Sequence, residues 1–345
     1  MKRAVVLLNL GAPDRLSAVE PFLVNLFSDP AIIRLPWPLR PLLARLIAKR
    51  RGPKARAIYA AIGGGSPLRA ETEAQAQALA LALAGERDQW RVFVAMRYWH
   101  PMSEETAGAV AAYKPDGVVL LPLYPQFSTT TTASSFRAWT KAAEGCGLNA
   151  PTQRICCYPT DAVWIAAQAE ATRAAMTGLE GPLRVLFSAH GLPERVVAAG
   201  DPYQWQIEQT VAAVAARLPA DRRDWVVCYQ SKVGPLRWIG PSTESEIARA
   251  GRDRVAVVIV PISFVSEHSE TLVELDITYR VLAEKAGVPA YRRARTVGTA
   301  PGFIGALRQI VVRAAASDAT IATGEGSRLC PADLIGCGLT FRERN

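Results

Sequence analysis

The sequence lacks the features of several protein classes. No apolar run reaches the roughly 18 residues that a membrane-spanning helix needs, so no segment is expected to cross a membrane. The first residues combine two basic side chains with a short apolar run, as a signal peptide does. However, no A-x-A-like cleavage site follows, and the run ends in the turn Gly11-Ala12-Pro13-Asp14. We therefore predict a first β-strand there and a cytoplasmic protein.

Several functional motifs are also missing. The chain contains neither the G-x-S-x-G turn of serine hydrolases nor the H-E-x-x-H helix of zinc hydrolases. The glycine-rich segment 63–67 follows a helix-forming stretch and lacks G-x-G-x-x-G spacing, so it is a weak indication of a dinucleotide site. The net charge is +9, but no zinc-finger, RNP or helix-turn-helix pattern accompanies it, and we expect no nucleic-acid partner.

Histidine is scarce, and its positions are informative. The chain has three, His100, His190 and His268, and each follows a run of apolar, β-branched residues. Such runs are typical of buried parallel strands. In an open α/β sheet, ligands bind outside the carboxyl ends of the strands. We therefore expect histidines at these positions to lie near a ligand.

Strand-like runs recur along the whole chain. Six of them alternate with stretches rich in Ala, Glu and Gln, which predicts βαβ units and parallel sheets. The halves also echo one another, since LLNLGAP at 7–13 resembles LFSAHGLP at 186–193. We predict an α/β protein with two similar, doubly wound, Rossmann-like domains that face each other across a cleft. The predicted domains cover residues 1–150 and 151–310, and residues 311–345 form an extension that packs back on the core.

The third histidine lies in a cluster of acids. Glu267, Glu270 and Glu274 fall at offsets 0, 3 and 7, so an α-helix would place them on one face, near His268 and Asp276. The helix dipole favours acids in a first turn, which is one sufficient explanation. However, three carboxylates on a shared ridge repel one another. The cluster therefore favours a role in binding a cation or transferring protons.

The second histidine, His190, stands just before the turn Gly191-Leu192-Pro193. A neutral imidazole near pH 7 can bind a transition metal or accept a proton. A histidine that only donates a hydrogen bond to a carbonyl of its own loop is the alternative, and it stays open at this point.

A basic and apolar segment lies near the N-terminus. Between Asp29 and Glu71 there are nine Lys and Arg residues and no acid, and within 34–51 several leucines and Trp37 alternate with the cations. Such a segment fits an element that rests on anionic lipid. An ordinary amphipathic helix packed on the core is an equally good interpretation.

Seven segments together resemble the ferrochelatase family, whose members insert ferrous iron into a porphyrin. In chain order they are IGGGSP from Ile62, RYWHP from Arg97, YPQFSTTTT from Tyr124, FSAHGLP from Phe187, DPY from Asp201, CYQSKVGPLRWIGPST from Cys228 and PISFVSEHSETLVELD from Pro261. The resemblance extends from about residue 4 to 310. It implies two Rossmann-like domains around a porphyrin cleft without a bound nucleotide. It also implies a lyase of heme synthesis that converts protoporphyrin IX and ferrous iron into protoheme with release of two protons.

The resemblance implies roles for particular residues. His190 would be the metal-site histidine and proton acceptor, and Glu270 would be a metal-binding carboxylate opposite it across the macrocycle. An acidic path along the helix would be formed by Glu267, His268, Glu274 and Asp276. These roles suit the chemistry, because insertion needs a base for two pyrrole protons and N or O ligands loose enough to release the ion.

A porphyrin pocket is implied as well. Phe264, Trp238 and Tyr124 are similar to the family's aromatic wall. Arg97 and Ser128 would hold the porphyrin edge or its propionates, and His100 would support the loop that carries Arg97.

Two further segments bear on the substrate and the membrane. The strand exit Asn9-Leu10-Gly11 resembles that of members using protoporphyrin IX, whereas members using coproporphyrin often have A-Y-G there. Leu10 is therefore placed in the pocket, and protoporphyrin IX is the expected substrate. Segment 34–51 resembles the family's active-site lip, which implies peripheral contact with the cytoplasmic membrane.

The six cysteines leave one cofactor open. Without an export signal, disulfides are not expected. Cluster-bearing bacterial members use a cysteine at the position of Cys157 and a terminal C-x₆-C-x-C, of which Cys330 and Cys337 match two thiols while Leu339 occupies the third position. Cluster-bearing animal members have a cysteine where this chain has Thr129. A [2Fe-2S] cluster is therefore open but not favoured.

Three alternative functions remain open. They are a ferrochelatase that uses coproporphyrin III, a related cobalt or nickel chelatase, and a heme-binding protein of the same fold. Binding alone needs no carboxylates facing a histidine, whereas metal insertion does. The sequence gives no prediction of the oligomeric state.

Overall fold

Two compact units make up the protein. The computed structural model describes residues 1–33, 35–36, 39–219 and 224–340. The first unit comprises Met1–Tyr158 with Leu307–Leu329, and the second comprises Pro159–Ala306 with the chain from Cys330 onward. Each unit is built on a parallel β-sheet whose strands are joined by helices. The predicted α/β class with two parallel-sheet domains is confirmed.

The first unit holds a five-stranded sheet. Numbered along the chain, its strands are β1 (Lys2–Asn9), β2 (Gln89–Met96), β3 (Gly117–Pro122), β4 (Thr152–Ile155) and β9 (Ile321–Ala322). They lie in the order β2-β1-β3-β4-β9, and all pairs are parallel. Its helices are a 3₁₀ turn (Leu16–Ala18), α1 (Val19–Phe27), α2 (Leu39–Ala60), α3 (Leu68–Leu83), α4 (Ser103–Tyr113) and α5 (Thr132–Gly145).

The second unit holds a four-stranded sheet. Its strands are β5 (Leu183–His190), β6 (Trp225–Gln230), β7 (Ala256–Pro261) and β8 (Tyr291–Arg293), in the order β6-β5-β7-β8. Its helical elements are α6 (Ala162–Met176), α7 (Glu194–Ala198), α8 (Tyr203–Ala215), α9 (Thr243–Asp253), a π-helix (Glu270–Thr278), α10 (Tyr279–Ala286) and the start of α11 (Pro301–Ala315). Both sheets place their first four strands in the same order, which accounts for the echo between the halves.

The central strands are apolar on both faces. In β1 the residues from Ala4 to Leu8 are at most 2% exposed, and β3 and β7 are buried throughout. A parallel sheet covered by helices has no solvent-facing side, so its strands are continuous apolar runs rather than alternating ones. This burial is why the strands could be recognised from composition.

The strand order of the second unit determines where its ligand site can lie. Strand β5 lies between β6 and β7, so the chain leaves it first to one side and later to the other. Such a reversal opens a crevice at the carboxyl ends of the strands. The register places His190, the last residue of β5, beside Gln230 of β6. The predicted exit position of His190 is therefore correct.

The acidic segment forms a different helix from the one expected. Residues Glu270–Thr278 form a π-helix, and Glu267 precedes it. The wider i→i+5 turn changes which residues share a face, so the expected α-helical ridge of Glu267, Glu270 and Glu274 is wrong. Short π-helical stretches are rare and occur frequently at functional sites.

Helix α2 combines a buried and an exposed apolar surface. Ala44 and Ala48 are fully buried, whereas Leu39, Leu42 and Leu46 are 57%, 62% and 65% exposed. A helix that only packed on the core would bury its large leucines first. Arg34 and Trp37 of the predicted lip lie outside the described residues. Among the helices that the structure describes, none is both long and apolar enough to cross a membrane.

Candidate functional site

His190 is held at the end of β5 in one tautomer. Its backbone N–H donates to Ser263 Oγ at 3.2 Å, and its ring Nδ1 lies 2.7 Å from the carbonyl oxygen of Gly191. A carbonyl only accepts, so Nδ1 must carry the hydrogen. In the neutral ring, Nε2 therefore has its lone pair available. The hydrogen bond to its own loop and a chemical role are thus compatible, because they use different ring nitrogens.

Glu270 lies between two imidazoles. One carboxylate oxygen is 3.8 Å from Nε2 of His190, and the other is 3.9 Å from Nε2 of His268. His268 repeats the arrangement of His190, since its Nδ1 lies 3.1 Å from the carbonyl oxygen of Ser266. Both rings therefore direct Nε2 at one carboxylate.

The expected position of Glu270 across a macrocycle from His190 is wrong. A flat ring between two groups needs two van der Waals contacts, or about 7 Å in all. The 3.8 Å separation leaves no such room. The two residues meet because β5 and β7 are neighbouring strands, and both side chains come from segments at their carboxyl ends.

The charges of Glu270 and of the two histidines beside it stabilise one another. Burial by itself raises the pKa of Glu270, but His190 and hydrogen bonds with His268 and Ser231 outweigh it and lower the pKa to about 2. Burial opposes the charged form of His268, but the adjacent Glu270 carboxylate outweighs it, and the pKa of His268 is raised. Glu270 is therefore an anion at neutral pH that favours protonated imidazole beside it.

Ser231 connects Glu270 to a second carboxylate. Its Oγ lies 2.6 Å from Glu274 Oε2 and 3.4 Å from Glu270 Oε2, and its backbone N–H donates to Glu274 Oε1 at 3.0 Å. Gln230 Nε2 also donates to Glu274, at 3.1 Å. Burial raises the pKa of Glu274, and the neighbouring charge of Glu270 raises it further. Glu274 therefore binds a proton more readily than Glu270 does.

Ser231 was not singled out from the sequence. It directly follows β6 and has a φ of +63°, in the left-handed region that favours glycine. Such a conformation in a residue other than glycine costs on the order of 1 kcal/mol and is common at functional sites. The sequence feature that could have indicated Ser231 is its position directly after the apolar strand that ends at Gln230. The histidines were selected because they follow strands in the same way.

The other two acids of the cluster are paired with an arginine. Arg293, on β8, binds Asp276 through Nε and Nη2 at 2.7 Å each, and its Nη1 lies 2.9 Å from Glu267. Glu267 also accepts from Thr296, from its N–H at 3.1 Å and its hydroxyl at 3.2 Å. Burial raises the pKa of Glu267, but Arg293 and these hydrogen bonds outweigh it, so the pKa is lowered. The roles predicted for Glu267 and Asp276 stay predictions.

Two of the predicted aromatic residues accompany the histidines. The ring of Phe264 meets that of His268 edge to face, with centroids 4.6 Å apart. The Trp238 ring centroid is 6.4 Å from that of His190, and its indole N–H donates to the Val233 carbonyl at 3.1 Å. The second unit thus gathers these two rings with His190, His268, Glu270 and Glu274.

The remaining predicted pocket residues belong to the first unit. Arg97 and Leu10 lie on adjoining segments, since the N–H of Tyr98 donates to the Leu10 carbonyl at 2.9 Å. Ser128 is buried, with its hydroxyl 2.8 Å from that of Thr130. Burial is the main cause that raises the pKa of the Tyr124 phenol. Their roles as porphyrin contacts stay predictions.

His100 and the cysteines have different surroundings. His100 is half exposed, and its Nδ1 lies 2.5 Å from Glu105. Cys157 belongs to the first unit, whereas Cys330 and Cys337 belong to the second, where Cys330 accepts a hydrogen bond from Gln206. Within the described ranges, no group of three or more His, Cys, Asp or Glu side chains has an arrangement that would hold a metal ion.

Comparison with known proteins identifies similar chains. A family model described as Ferrochelatase matches residues 2–315. The protein named Ferrochelatase from Caulobacter vibrioides is 54% identical over 341 residues, covering 97% of each chain. That from Hyphomonas neptunium is 52% identical, covering 97% of this chain and 94% of the relative, and that from Pelagibacter ubique is 44% identical, covering 91% of each.

Solved structures show the same fold at low identity. SirB from Bacillus subtilis with Fe³⁺ is similar with a TM-score of 0.55 and 14% identity, covering 91% of this chain and 95% of that one. The sirohydrochlorin chelatase SirB from Bacillus subtilis subspecies spizizenii, in complex with cobalt, has a TM-score of 0.53 and 11% identity, covering 92% and 97%. These structures support the fold only.

Proposed function

The chain belongs to the ferrochelatase family and is an enzyme that inserts iron into a porphyrin to make heme, and we propose that the cluster around His190 and Glu270 carries out the chemistry. The finer proposal is that it inserts ferrous iron into protoporphyrin IX, with release of the two pyrrole protons. The proposal rests on one observation, the Nε2 of His190 with its lone pair available beside an ionised Glu270.

His190 is proposed as the base that accepts a pyrrole proton. The hydrogen bond from its Nδ1–H to Gly191 keeps Nε2 unprotonated in the neutral ring. When Nε2 takes a proton, the Glu270 carboxylate 3.8 Å away stabilises the imidazolium. Such placement of a base with a charge-matched partner is typical of groups that move protons in catalysis.

Protons are proposed to leave through Glu274. Tyr279 OH lies 3.0 Å from Glu274 Oε1 and 3.1 Å from Glu244 Oε1. A single hydroxyl hydrogen cannot serve two ionised carboxylates, so the second contact is favourable only when one carboxyl group holds a proton. The raised pKa of Glu274 supports that group as the proton carrier.

Ferrous iron is proposed to meet Glu270 and Nε2 of His190 first, and Nε2 accepts a pyrrole proton once the ion has passed to the porphyrin nitrogens. An imidazole nitrogen with one carboxylate gives N and O ligands without thiolates, a set that suits ferrous iron yet can release it. The ion is a substrate in this scheme. Its two positive charges replace the two protons that the porphyrin nitrogens give up.

The pocket residues are proposed to bind the porphyrin. Phe264 and Trp238 offer apolar ring faces beside the two histidines. In the first unit, Tyr124, Arg97 and Ser128 are proposed to hold the porphyrin edge or its propionates, and Leu10 supports protoporphyrin IX over coproporphyrin III.

The proposal is tested by replacing the base. We expect His190→Ala to lower kcat for ferrous iron insertion about 100-fold or more, the usual range for a lost general base. The matched control is Glu246→Gln, which removes an ion pair to Arg249 on α9 outside the site and should leave kcat within about twofold. Assays run in parallel with cobaltous and nickel ions separate the related chelatases. Near-normal activity of His190→Ala would overturn the proposed role, and heme binding without any insertion would leave only a binding protein.

A cytoplasmic enzyme in peripheral contact with the membrane is also proposed. Leu39, Leu42 and Leu46 recur at offsets 0, 3 and 7 of α2, so they form one exposed apolar stripe amid cations. Such a stripe suits the interface of an anionic bilayer.

We expect Leu42→Ser with Leu46→Ser to weaken sedimentation with vesicles containing anionic lipid about tenfold or more. The control is Leu81→Ser on α3, a single leucine that is 79% exposed. Equal loss in both variants would contradict the proposal.

The proposed reaction uses no iron–sulfur cluster. Leu339 occupies the third terminal ligand position, so Cys157, Cys330 and Cys337 supply three of the four thiols that cluster-bearing bacterial members use. A [2Fe-2S] cluster stays open but not favoured, and none of the steps above depends on one.

A further inference from the structure

Asp29 is a buried carboxylate that the proposed chemistry does not use. It follows α1 in the first unit and is 3% exposed. Its Oδ1 accepts the Ala31 N–H at 2.8 Å, and its Oδ2 accepts from Tyr98 OH and Arg97 Nη2 at 2.7 Å each, and from Ser134 Oγ. Burial raises the pKa of Asp29, but Arg97 and these hydrogen bonds outweigh it and lower the pKa. Asp29 is therefore an anion.

The contacts of Asp29 fix the guanidinium group of Arg97. Arg97 Nη2 binds Asp29, and Arg97 Nε donates to Ser134 Oγ at 2.8 Å. One face of the guanidinium lies over the ring of Tyr98, with the carbon 4.8 Å from the ring centroid. The group is thus held along one edge and on one face.

One nitrogen of Arg97 is left for a ligand. Within the part of the chain that the structure describes, Nη1 makes no hydrogen bond, and it is not sealed from solvent. An arginine–carboxylate ion pair stabilises a fold most when both terminal nitrogens of the guanidinium bind the same carboxylate. Here the carboxylate takes only one of them, and Ser134 takes Nε rather than Nη1.

We propose that Asp29 and Ser134 are positioning residues, which orient Arg97 so that Nη1 meets a carboxylate group of the substrate. This inference rests on the proposed function in one respect, because the substrate must be a porphyrin that carries propionate side chains. An oriented guanidinium loses less conformational freedom for each hydrogen bond it forms. Positioning should therefore appear as tighter binding of porphyrins with free carboxylates.

Equilibrium binding of metal-free porphyrins tests this inference without requiring turnover. The probes are a porphyrin with two free propionates and its dimethyl ester, titrated against wild-type protein and followed by tryptophan fluorescence quenching. We expect Asp29→Asn to raise the Kd of the diacid about tenfold, as for the loss of one oriented charged hydrogen bond, and to leave the Kd of the ester unchanged. Ser134→Ala, a smaller change, should act in the same direction by about threefold.

The control is Asp88→Asn, another ion-paired aspartate of the first unit that binds Arg3 at 3.1 Å. It should leave both Kd values unchanged. A purely structural role of Asp29 would weaken both porphyrins equally, and unchanged or tighter diacid binding would also overturn the inference. If Asp29→Asn does not fold, Ser134→Ala alone tests the inference, by whether it raises the Kd of the diacid relative to the Kd of the ester. Wild-type protein that binds the diacid selectively but inserts no iron would refute the proposed function and leave this inference standing.

Discussion

Four carboxylates of one ten-residue segment have two different surroundings. Glu267 and Asp276 are bound by Arg293, whose guanidinium neutralises them through three contacts of 2.7 to 2.9 Å. Among the residues that the structure describes, no arginine or lysine forms an ion pair with Glu270 or Glu274. Their partners are imidazoles, the Ser231 hydroxyl and the Tyr279 phenol.

The difference separates groups that hold a charge from groups that can exchange protons. A carboxylate paired with a guanidinium stays ionised over the whole physiological range, because the arginine never loses its proton. An imidazole can give or take a proton near neutral pH, a carboxylate with a raised pKa holds one more readily, and a neutral hydroxyl can connect such groups by hydrogen bonds. Proximity in the sequence therefore does not make the four acids equivalent.

The largest effect is expected from replacing Glu270 and Glu267, one at a time, with glutamine. Glu270→Gln removes the anion between the two histidines, and we expect kcat for ferrous iron insertion to fall about 100-fold or more. Glu267→Gln removes an acceptor of Arg293, which keeps both contacts to Asp276, and we expect a loss about tenfold smaller. Steady-state kinetics of both variants measure the contrast. Equal losses would show that the arginine-bound pair takes part in the same proton path.

A smaller effect is expected from Ser231→Gly. Glycine adopts a φ of +63° without strain, so thermal unfolding should show equal or slightly higher stability. The same change removes the hydroxyl that connects Glu270 to Glu274, so kcat should fall about tenfold. Activity and stability would thus move apart. If kcat stayed normal, the connection through this hydroxyl would be unnecessary.

Much of the fold follows from the sequence for a simple reason. Strands buried on both faces must be apolar throughout, so β1, β3, β5 and β7 are visible as runs in the composition. The exit rule for parallel strands then predicts that His190 lies at a ligand edge, as it does. The resemblance added the expected partners of that histidine and the family's chemistry.

The finer geometry of the site depends on long-range contacts that no local pattern records. Arg293 lies 17 residues after Asp276, and only the pairing of β7 with β8 brings it to the acids. The π-helical turn likewise depends on its packing, because the acid spacing 0, 3 and 7 fits an α-helix equally well. The spacing of the acids along the sequence therefore predicted the cluster, but it did not predict which acids pair with Arg293 and which contact the histidines and hydroxyls.

The smallest and most specific effect concerns stability against pH. The pKa of Glu274 is raised above its ordinary value of 4.5, so the folded state favours its protonated form and loses stability as pH rises through the folded pKa. The pKa of Glu270 is lowered to about 2, so its ionised form stabilises the fold above pH 4.5, and that contribution is lost as pH falls towards 2. Glutamine does not titrate. Relative to wild type, the free energy of unfolding of Glu274→Gln should therefore rise as pH increases above about 4.5, whereas that of Glu270→Gln should be lowest at neutral pH and recover as pH falls from 4.5 towards 2. Urea unfolding from about pH 2 to neutral pH measures both slopes, and hydrogen bonds lost to the amide shift each curve without changing its slope. Slopes of the same sign would show that the two carboxylates share one environment, and the division of the cluster into separate proton sites would be wrong.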